Sequence, residues 1–381
     1  MDFSIVGLES SNKEYHMKVM AVFGTRPEAI KMCPLVQELK KRKDLETIVC
    51  LTGQHREMLD QVMSTFGIDA DYNLSIMKEK QTLSMITSSV LLGVESVIQK
   101  ECPNIILVHG DTSTSFAAGL AAFYNHVLVG HVEAGLRTYN LRAPYPEEFN
   151  RQTVDLFTDL YFAPTTLAKE NLLKEGKKSE TIFVTGNTVI DALKTTVRED
   201  YQSEDLRWAE GSRMILMTAH RRENIGKSME EMFYAIRKIA DDNPDVKVIY
   251  PIHMNPAVRE IADRFLTGSE NIRLIEPLDV LDFHNYMKAS FLILTDSGGI
   301  QEEAPALGKP VLVMRDTTER PEGVEAGTLK LVGTSRMKIY EETCKLLNDA
   351  EEYEKMSMAS NPYGDGHASE RIADVIENYS R

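Results

Sequence analysis

From Lys18 onward the chain alternates short uncharged apolar runs with longer segments whose apolar residues recur at helical spacing. A run that is apolar at every position suits a strand covered on both faces, so the alternation predicts parallel sheets with helices on either side. In the first half the runs are Lys18 to Phe23, Thr47 to Leu51, Ile105 to Val108, Val127 to Gly130, Leu160 to Phe162 and Thr181 to Val184. The polar stretch Glu199 to Arg213 then interrupts the pattern. A second set follows at Met214 to Met217, Val246 to Tyr250, Ile272 to Leu274, Phe291 to Leu294, Val311 to Val313 and Leu329 to Val332. Two doubly wound α/β domains joined near residue 190 explain that interruption better than one eight-unit barrel, and they place ligands in a cleft at the carboxyl ends of the strands. The segment Ala368 to Tyr379 reads as an amphipathic helix.

Composition excludes several alternatives. With 43 Lys and Arg against 58 Asp and Glu, the net charge of −15 repels nucleic acid and anionic membranes. Cys33, Cys50, Cys102 and Cys344 lie far apart without a C-x-x-C spacing, which suggests neither a zinc knuckle nor a disulfide framework and fits a reducing cytoplasm. Residues 1–16 lack a basic n-region and a long apolar h-region, so they read as an appended leader, with Met17 as the natural start. The longest uncharged stretch, Thr112 to Val132, carries several hydroxyls and two histidines and reads as a buried helix followed by a strand, not as a membrane span. Neither G-x-G-x-x-G, G-x-x-x-x-G-K-[ST] nor G-x-S-x-G occurs, which weakens hydride, phosphate-loop and serine-hydrolase readings.

The informative residues stand where strands end. Gly24-Thr25-Arg26-Pro27-Glu28 follows the first run, with Gly for a tight turn, Pro27 at a helix start, Arg26 for an anion and Lys31 one turn further on. Thr295-Asp296-Ser297-Gly298-Gly299 follows a strand of the second set. There the glycines admit a phosphate, Ser297 can donate to it or cap the helix, and Glu303 can accept ribose hydroxyls; a capped helix with acidic residues suiting its dipole is the plainer alternative. His109-Gly110-Asp111-Thr112 and His131-Val132-Glu133 end two neighbouring strands, and Pro146-Glu147-Glu148-Phe149-Asn150-Arg151 opens a helix. Asp111, Glu133 and Glu147 in one cleft suit acid and base work at carbon, whereas the plainer alternative has Asp111 and Glu133 bonding local backbone and Glu147 pairing with Arg151. The His-x-Asp and His-x-Glu pairs also leave open a divalent metal. Ala219-His220-Arg221-Arg222 is a cationic turn for which a solvated charge run is the plainer alternative; following a buried strand, it would face the same cleft and suit a phosphate.

Taken together, Phe23 to Lys31, His109 to Thr112, His131 to Thr138, Pro146 to Arg151, Thr218 to Asn224 and Asp296 to Glu303 resemble the bacterial non-hydrolysing UDP-N-acetylglucosamine 2-epimerases, and the likeness runs from Met17 to the C-terminus. The resemblance implies a glycosyltransferase-B fold of two Rossmann-like domains, at 17–187 and 188–365, with the helix in 366–381 packing back on the first. It implies interconversion of UDP-N-acetylglucosamine and UDP-N-acetylmannosamine, through loss and re-addition of UDP across a 2-acetamidoglucal. Neither metal nor cofactor is expected, the product would serve cell-surface polysaccharide synthesis, and a homodimer is expected.

By the same resemblance Asp111, Glu133 and Glu147 are the acid and base candidates, with Lys31, Arg151 and His220 organising charge around them. Arg26, Ser297, Gly298, Gly299 and Arg320 would hold the diphosphate and its surroundings, Glu303 the ribose, and Leu278 with Phe283 the uracil. A second UDP-N-acetylglucosamine, bound as activator, would contact Gln54, Glu57, Lys80, Glu147, Arg221 and His253. Glu57 and Lys80 stand where the family has Gln and Arg, which weakens that site in this chain. A glycosyltransferase of the same fold, a hydrolysing epimerase and a nucleotide-sugar sensor are the competing classes.

Overall fold

The computed structural model describes residues 17–53, 56–78 and 80–379. The proposed leader at 1–16 and Gln54 lie outside the described residues, as does the side chain of Glu57. The first sheet has seven parallel strands, β1 (Met17–Phe23), β2 (Leu45–Leu51), β3 (Tyr72–Asn73), β4 (Ile105–His109), β5 (Leu128–Val132), β6 (Leu160–Ala163) and β7 (Ile182–Val184), in the order β3-β2-β1-β4-β5-β6-β7. Its helices are α1 (Arg26–Lys41), α2 (Arg56–Phe66), α3 (Leu83–Glu101), α4 (Ser113–Tyr124), α5 (Glu147–Phe157), α6 (Thr166–Lys174) and α7 (Thr188–Thr196). The second sheet holds β8 (Arg213–Thr218), β9 (Val246–Pro251), β10 (Ile272–Ile275), β11 (Leu292–Thr295), β12 (Val311–Val313) and β13 (Leu329–Leu331), in the order β10-β9-β8-β11-β12-β13. With it go α8 (Glu204–Trp208), α9 (Lys227–Asp242), α10 (Pro256–Leu266), α11 (Val280–Ala289), α12 (Ile300–Ala306), α13 (Pro321–Glu325), α14 (Arg336–Asn348) and α15 (Ala350–Ser357); α16 (Ala368–Tyr379) closes the order.

The apolar runs become strands for the reason the alternation implies. Along β1, Val19, Ala21 and Phe23 enter the core shared with Met32 and Leu35 of α1, while Met20 and Val22 enter the core on the opposite face with Val90, Val94 and Ala117. β8 divides likewise, with Ile215 and Met217 on one face and Met214 and Leu216 on the other. Thr112 to Val132 forms a helix and a strand, and α4 carries no charge. Among the described residues no helix is long and apolar enough to cross a membrane. β3 had no apolar run to announce it: two residues paired with Cys50 and Leu51 suffice for an edge. The polar interruption contains only the short α8.

In both sheets the order reverses beside the first strand, between β1 and β4 and between β8 and β11. The turns following these strands hold the motif residues, and the two sheets present them to each other. α7 joins the halves by packing on α1 and α16 and also on α11 and α12. Ile372, Ala373 and Ile376 of α16 share the core of α1. Where the chain passes between halves, a Cβ on Gly186 would lie 3.2 Å from the Gly364 Cα, so the two crossings touch.

Gly135, just beyond β5, has φ +88 and no space, since a Cβ there would meet the Ala168 carbonyl oxygen at 2.3 Å. Gly176 has φ +79 with nothing within 4 Å. Gly135→Ala should therefore lose at least about 2 kcal/mol of stability, against about 1 kcal/mol for Gly176→Ala. Equal losses in denaturant titrations would contradict the close approach of β5 to α6.

Candidate active site

The turn after β1 is fixed by its own sequence. Thr25 caps α1 and Glu28 completes the capping box, its carboxylate accepting from the Gly24 and Thr25 amides at 3.0 and 2.8 Å. The other oxygen of Glu28 accepts from Thr112 Oγ1 at 2.5 Å, so this buried acid ties the turn after β1 to the turn after β4. Burial raises the Glu28 pKa against the opposing pull of these hydrogen bonds. Arg26 opens α1, so Pro27 stands second in the helix, one position later than the sequence suggested.

Lys31, one turn into α1, makes an ion pair with Glu133 at the end of β5. Both are enclosed. Burial alone would raise Glu133, but Lys31 and Arg320 outweigh it and hold the carboxyl well below its usual range. Burial likewise works against the Lys31 charge, and Glu133 and Glu302 overcome it. Glu133 also has φ +67, a left-handed conformation costing about 1 to 3 kcal/mol in a residue other than Gly. Its neighbour His109 is buried and neutral, with burial pushing the imidazole down to about 3. The His109 Nε2 has no hydrogen-bond partner among the described residues and stands 3.8 Å from Glu133 Oε2.

Asp111, after β4, pairs with Arg151 of α5, whose guanidinium also lies 3.4 Å from Glu148. This replaces the plainer expectation of a Glu147 pair with Arg151: the arginine takes the i−3 carboxylate and Asp111 instead. Glu147 opens α5 half-buried. The idea that Asp111 and Glu133 merely bond local backbone also gives way, because each has a cation from another helix. Of the histidines in the possible metal pairs, His131 is engaged at both ring nitrogens. His131 sets its two ring nitrogens 2.6 Å from Asp155 and 2.8 Å from the Gly110 carbonyl, and Asp155 further accepts from Arg137 at 2.7 Å. Among the described residues no group of three or more His, Cys, Asp or Glu is placed to hold a metal ion.

On the facing wall, Asp296 is fully buried and accepts from the amides of His220 and Arg221 at 3.0 and 2.9 Å, which fixes the cationic turn after β8. Burial lowers the pKa of His220 despite Asp296, and its ring stacks on His253 at 5.7 Å. Ser297 does not cap α12 as its sequence position suggested; Gly299 occupies the cap position, and the Ser297 amide donates to Thr295 Oγ1 at 2.9 Å. Ser297 itself lines the space between the walls. Arg320 lies against Gly298 and donates from Nε to Glu302 at 2.7 Å. Glu302 is the site residue that sequence reasoning passed over in favour of Glu303. Burial raises its pKa against Arg320 and Lys31.

Two chambers open between the walls. One, of about 490 Å³, brings together Arg26, His220, His253, Leu278, Phe283, Ser297 and Glu303. The other, of about 850 Å³, is lined by Arg151, Arg221, Gly298, Gly299 and Arg320 among others. Lys31, Asp111, Glu133 and Glu147 line neither directly; the ends of β4 and β5 lie between the β1 turn at the first chamber and Leu136 and Arg137 at the second. Glu303 also lies 3.3 Å from His284. Of the remaining activator candidates, Arg221 pairs loosely with Glu223 and Glu319, and Lys80 is exposed before α3, lining neither chamber.

A family model described as UDP-N-acetylglucosamine 2-epimerase matches residues 37–377. The chain is 60% identical over 360 residues to UDP-N-acetylglucosamine 2-epimerase of Bacillus subtilis, covering 94% of this chain and 95% of the relative. It is 51% identical to the enzyme of the same name from Escherichia coli K12 over 372 residues, covering 95% and 99%. Among solved structures it superposes with a TM-score of 0.87 on the S. aureus MnaA-UDP co-structure, at 55% identity over 96% of this chain and 97% of that one. The TM-score is 0.85 for UDP-GlcNAc 2-epimerase from Neisseria meningitidis bound to UDP-GlcNAc, at 49% identity over 95% and 100%. Two parallel α/β sheets facing a cleft, in a glycosyltransferase-B-like fold, and relatives of this identity along nearly the whole chain establish that it belongs to the bacterial UDP-N-acetylglucosamine 2-epimerase family, a family of isomerases.

Proposed function

We propose that the chain interconverts UDP-N-acetylglucosamine and UDP-N-acetylmannosamine, without hydrolysis, by eliminating UDP and adding it back. One observation carries the reading: an ionised, enclosed Glu133, held by Lys31, lies beside an Asp111–Arg151 pair in a cleft whose facing wall carries Arg320 and an open Gly298-Gly299 turn. UDP in one similar structure and UDP-GlcNAc in another support a uridine nucleotide sugar as the ligand, which we place on that wall. Uracil would rest on Leu278 and Phe283 and ribose on Glu303. The diphosphate would take Ser297, Gly298, Gly299, Arg26 and Arg320, with the sugar reaching toward Arg151. Residues 17–187 and 188–365 would act as the two closing bodies, with 366–381 returned to the first.

In the forward direction a carboxylate takes the proton from carbon 2, and those electrons form the C1–C2 double bond. The C1–O bond breaks as that double bond forms, its electron pair leaving on UDP, where Arg26 and Arg320 offset the growing charge and His220 can donate a hydrogen bond. Re-addition with proton delivery to the other face inverts carbon 2. Glu133 serves as the base in this scheme by its place at the end of β5; Asp111 and Glu147 supply the remaining proton transfers, and Lys31 and Arg151 hold Glu133 and Asp111 in position. In heavy water, product should carry deuterium at carbon 2. Asp111→Asn, Glu133→Gln and Glu147→Gln should each slow turnover by at least about 10²-fold with UDP affinity nearly unchanged. Product retaining its original hydrogen, or a full-rate variant, would contradict the scheme or that residue's part in it.

The four cysteines are free thiols, and burial pushes Cys33 and Cys50 up to about 12, which suits the reducing cytoplasm where we place the enzyme. Its product is an activated sugar, and we assign it to cell-surface polysaccharide synthesis. A homodimer is proposed from the outer faces of α3, α4 and α5, where Leu92, Phe123, Tyr124 and Leu156 are exposed and Phe123 packs on Phe157 at 5.9 Å. Sedimentation should report a dimer that Leu92→Glu with Leu156→Glu converts to monomer; a monomeric parent protein would contradict it. We assign an activating second UDP-N-acetylglucosamine to Gln54, Glu57, Lys80, Glu147, Arg221 and His253, supported by the position of Arg221 and His253 on the two chambers. It should accelerate the reverse reaction from UDP-N-acetylmannosamine, and an unchanged rate would remove this site.

A further inference from the structure

Asn187 stands where the chain leaves the first sheet, as the cap residue of α7. Its side-chain amide nitrogen donates to Glu133 Oε1 at 2.9 Å and to Glu302 Oε2 at 2.7 Å. Glu302 receives Arg320 on its other oxygen at 2.7 Å, and Glu133 receives Lys31 on the same oxygen that Asn187 uses. An unbroken chain of contacts therefore runs from Lys31 on one wall through Glu133, Asn187 and Glu302 to Arg320 on the other. Both hydrogens of one amide are committed to carboxylates from opposite halves of the molecule.

Asn187 is also held by the crossings themselves. Its backbone amide donates to the Tyr363 carbonyl at 2.7 Å, and its Oδ1 accepts from the Val189 amide at 3.1 Å. The return crossing is tied to the second half, since Asn361 donates to the Glu302 carbonyl at 3.0 Å and the Gly323 amide donates to the Tyr363 hydroxyl at 3.1 Å. A shift of the second half relative to the first must therefore change the Asn187 contacts with Glu133 or with Glu302. With Oε1 of Glu133 occupied by Lys31 and Asn187, Oε2 is the oxygen left for a proton, and its direction depends on how Oε1 is gripped.

We propose that Asn187 is a positioning residue that makes the orientation of Glu133 depend on the placement of Arg320, so that the base is aligned only when the diphosphate wall is in register with the sugar wall. The inference rests on the reading of Glu133 as a base. Misplacing a reacting group by about 1 Å can cost as much as 10²-fold in rate, which is the scale of effect available to such a grip.

The test compares Asn187→Ser and Asn187→Asp in the full-length protein. Both retain an oxygen that can cap α7 and both remove the amide that donates to the two carboxylates; Asp also brings a third carboxylate beside them, so Ser is the primary variant, and a cooperative thermal transition in each shows that it is folded. The expected result is a kcat at least about 10-fold lower in each, with UDP affinity by calorimetry within about threefold of the parent. Adding Asn187→Ser to Glu302→Gln should cost less in kcat than it does in the parent, because the two act in one chain. Either variant keeping kcat within about twofold, a loss of UDP affinity in proportion to kcat, or strictly additive effects with Glu302→Gln would overturn the proposal. Glu133→Gln measured alongside separates the levels. If it is inactive while the Asn187 variants run at full rate, only the positioning role falls; if it runs at full rate, the reading of Glu133 falls with it.

Discussion

The ion pair between Lys31 and Glu133 is the contact on which the rest of the cleft depends. Taking two charges out of water costs several kcal/mol each, and removing one partner from such a pair costs about 3 to 5 kcal/mol because the other is stranded. A pair of apolar residues would serve stability as well. The chain instead encloses the pair, places Glu133 in a left-handed conformation and surrounds it with Asn187, His109 and, across the cleft, Arg320. The outcome is an ionised carboxylate at the end of β5, fixed in position by partners from both halves.

Two sheets of the same hand bring this about with few special devices. Each reverses its order beside its first strand, so that turns rich in Gly and polar residues open at the same end. Buried acids then hold those turns by their amides, Glu28 on one wall and Asp296 on the other. The cations of both turns, Arg26 on one and His220 with Arg221 on the other, are thus placed by backbone hydrogen bonds to buried carboxylates. In the proposed reaction this rigidity matters most for the second half, when UDP and the glucal must recombine before either escapes.

Much of this was legible in the sequence because strands covered on both faces leave an unbroken apolar record, as β1 and β8 do, and because chemistry in such folds is confined to strand ends. β3 left no record, since an edge of two residues needs none. The partners were harder to read. Lys31 and Glu133 are 102 positions apart and Asn187 and Glu302 115, and no periodicity links residues at such distances. Glu302 and Glu303 are adjacent on α12 and therefore point about 100° apart, one into the inter-sheet contacts and the other toward the smaller chamber. Their adjacency gave no means of choosing. Ser297 preceding two glycines suggested a cap, but Gly299 takes that position and Ser297 lines the space between the walls. Nothing in the sequence singled out Asn187, and its contacts beyond capping α7 are visible only once both carboxylates are in place.

In the proposed reaction one cleft removes and restores UDP while the sugar's carbon 2 passes through a planar state. Separate samples of purified protein should be given UDP-N-acetylglucosamine and UDP-N-acetylmannosamine and followed by NMR. Both samples should relax to the same mixture of the two nucleotide sugars, with no accumulation of free N-acetylmannosamine. Free N-acetylmannosamine as the main product, or two samples that never converge, would contradict that reaction.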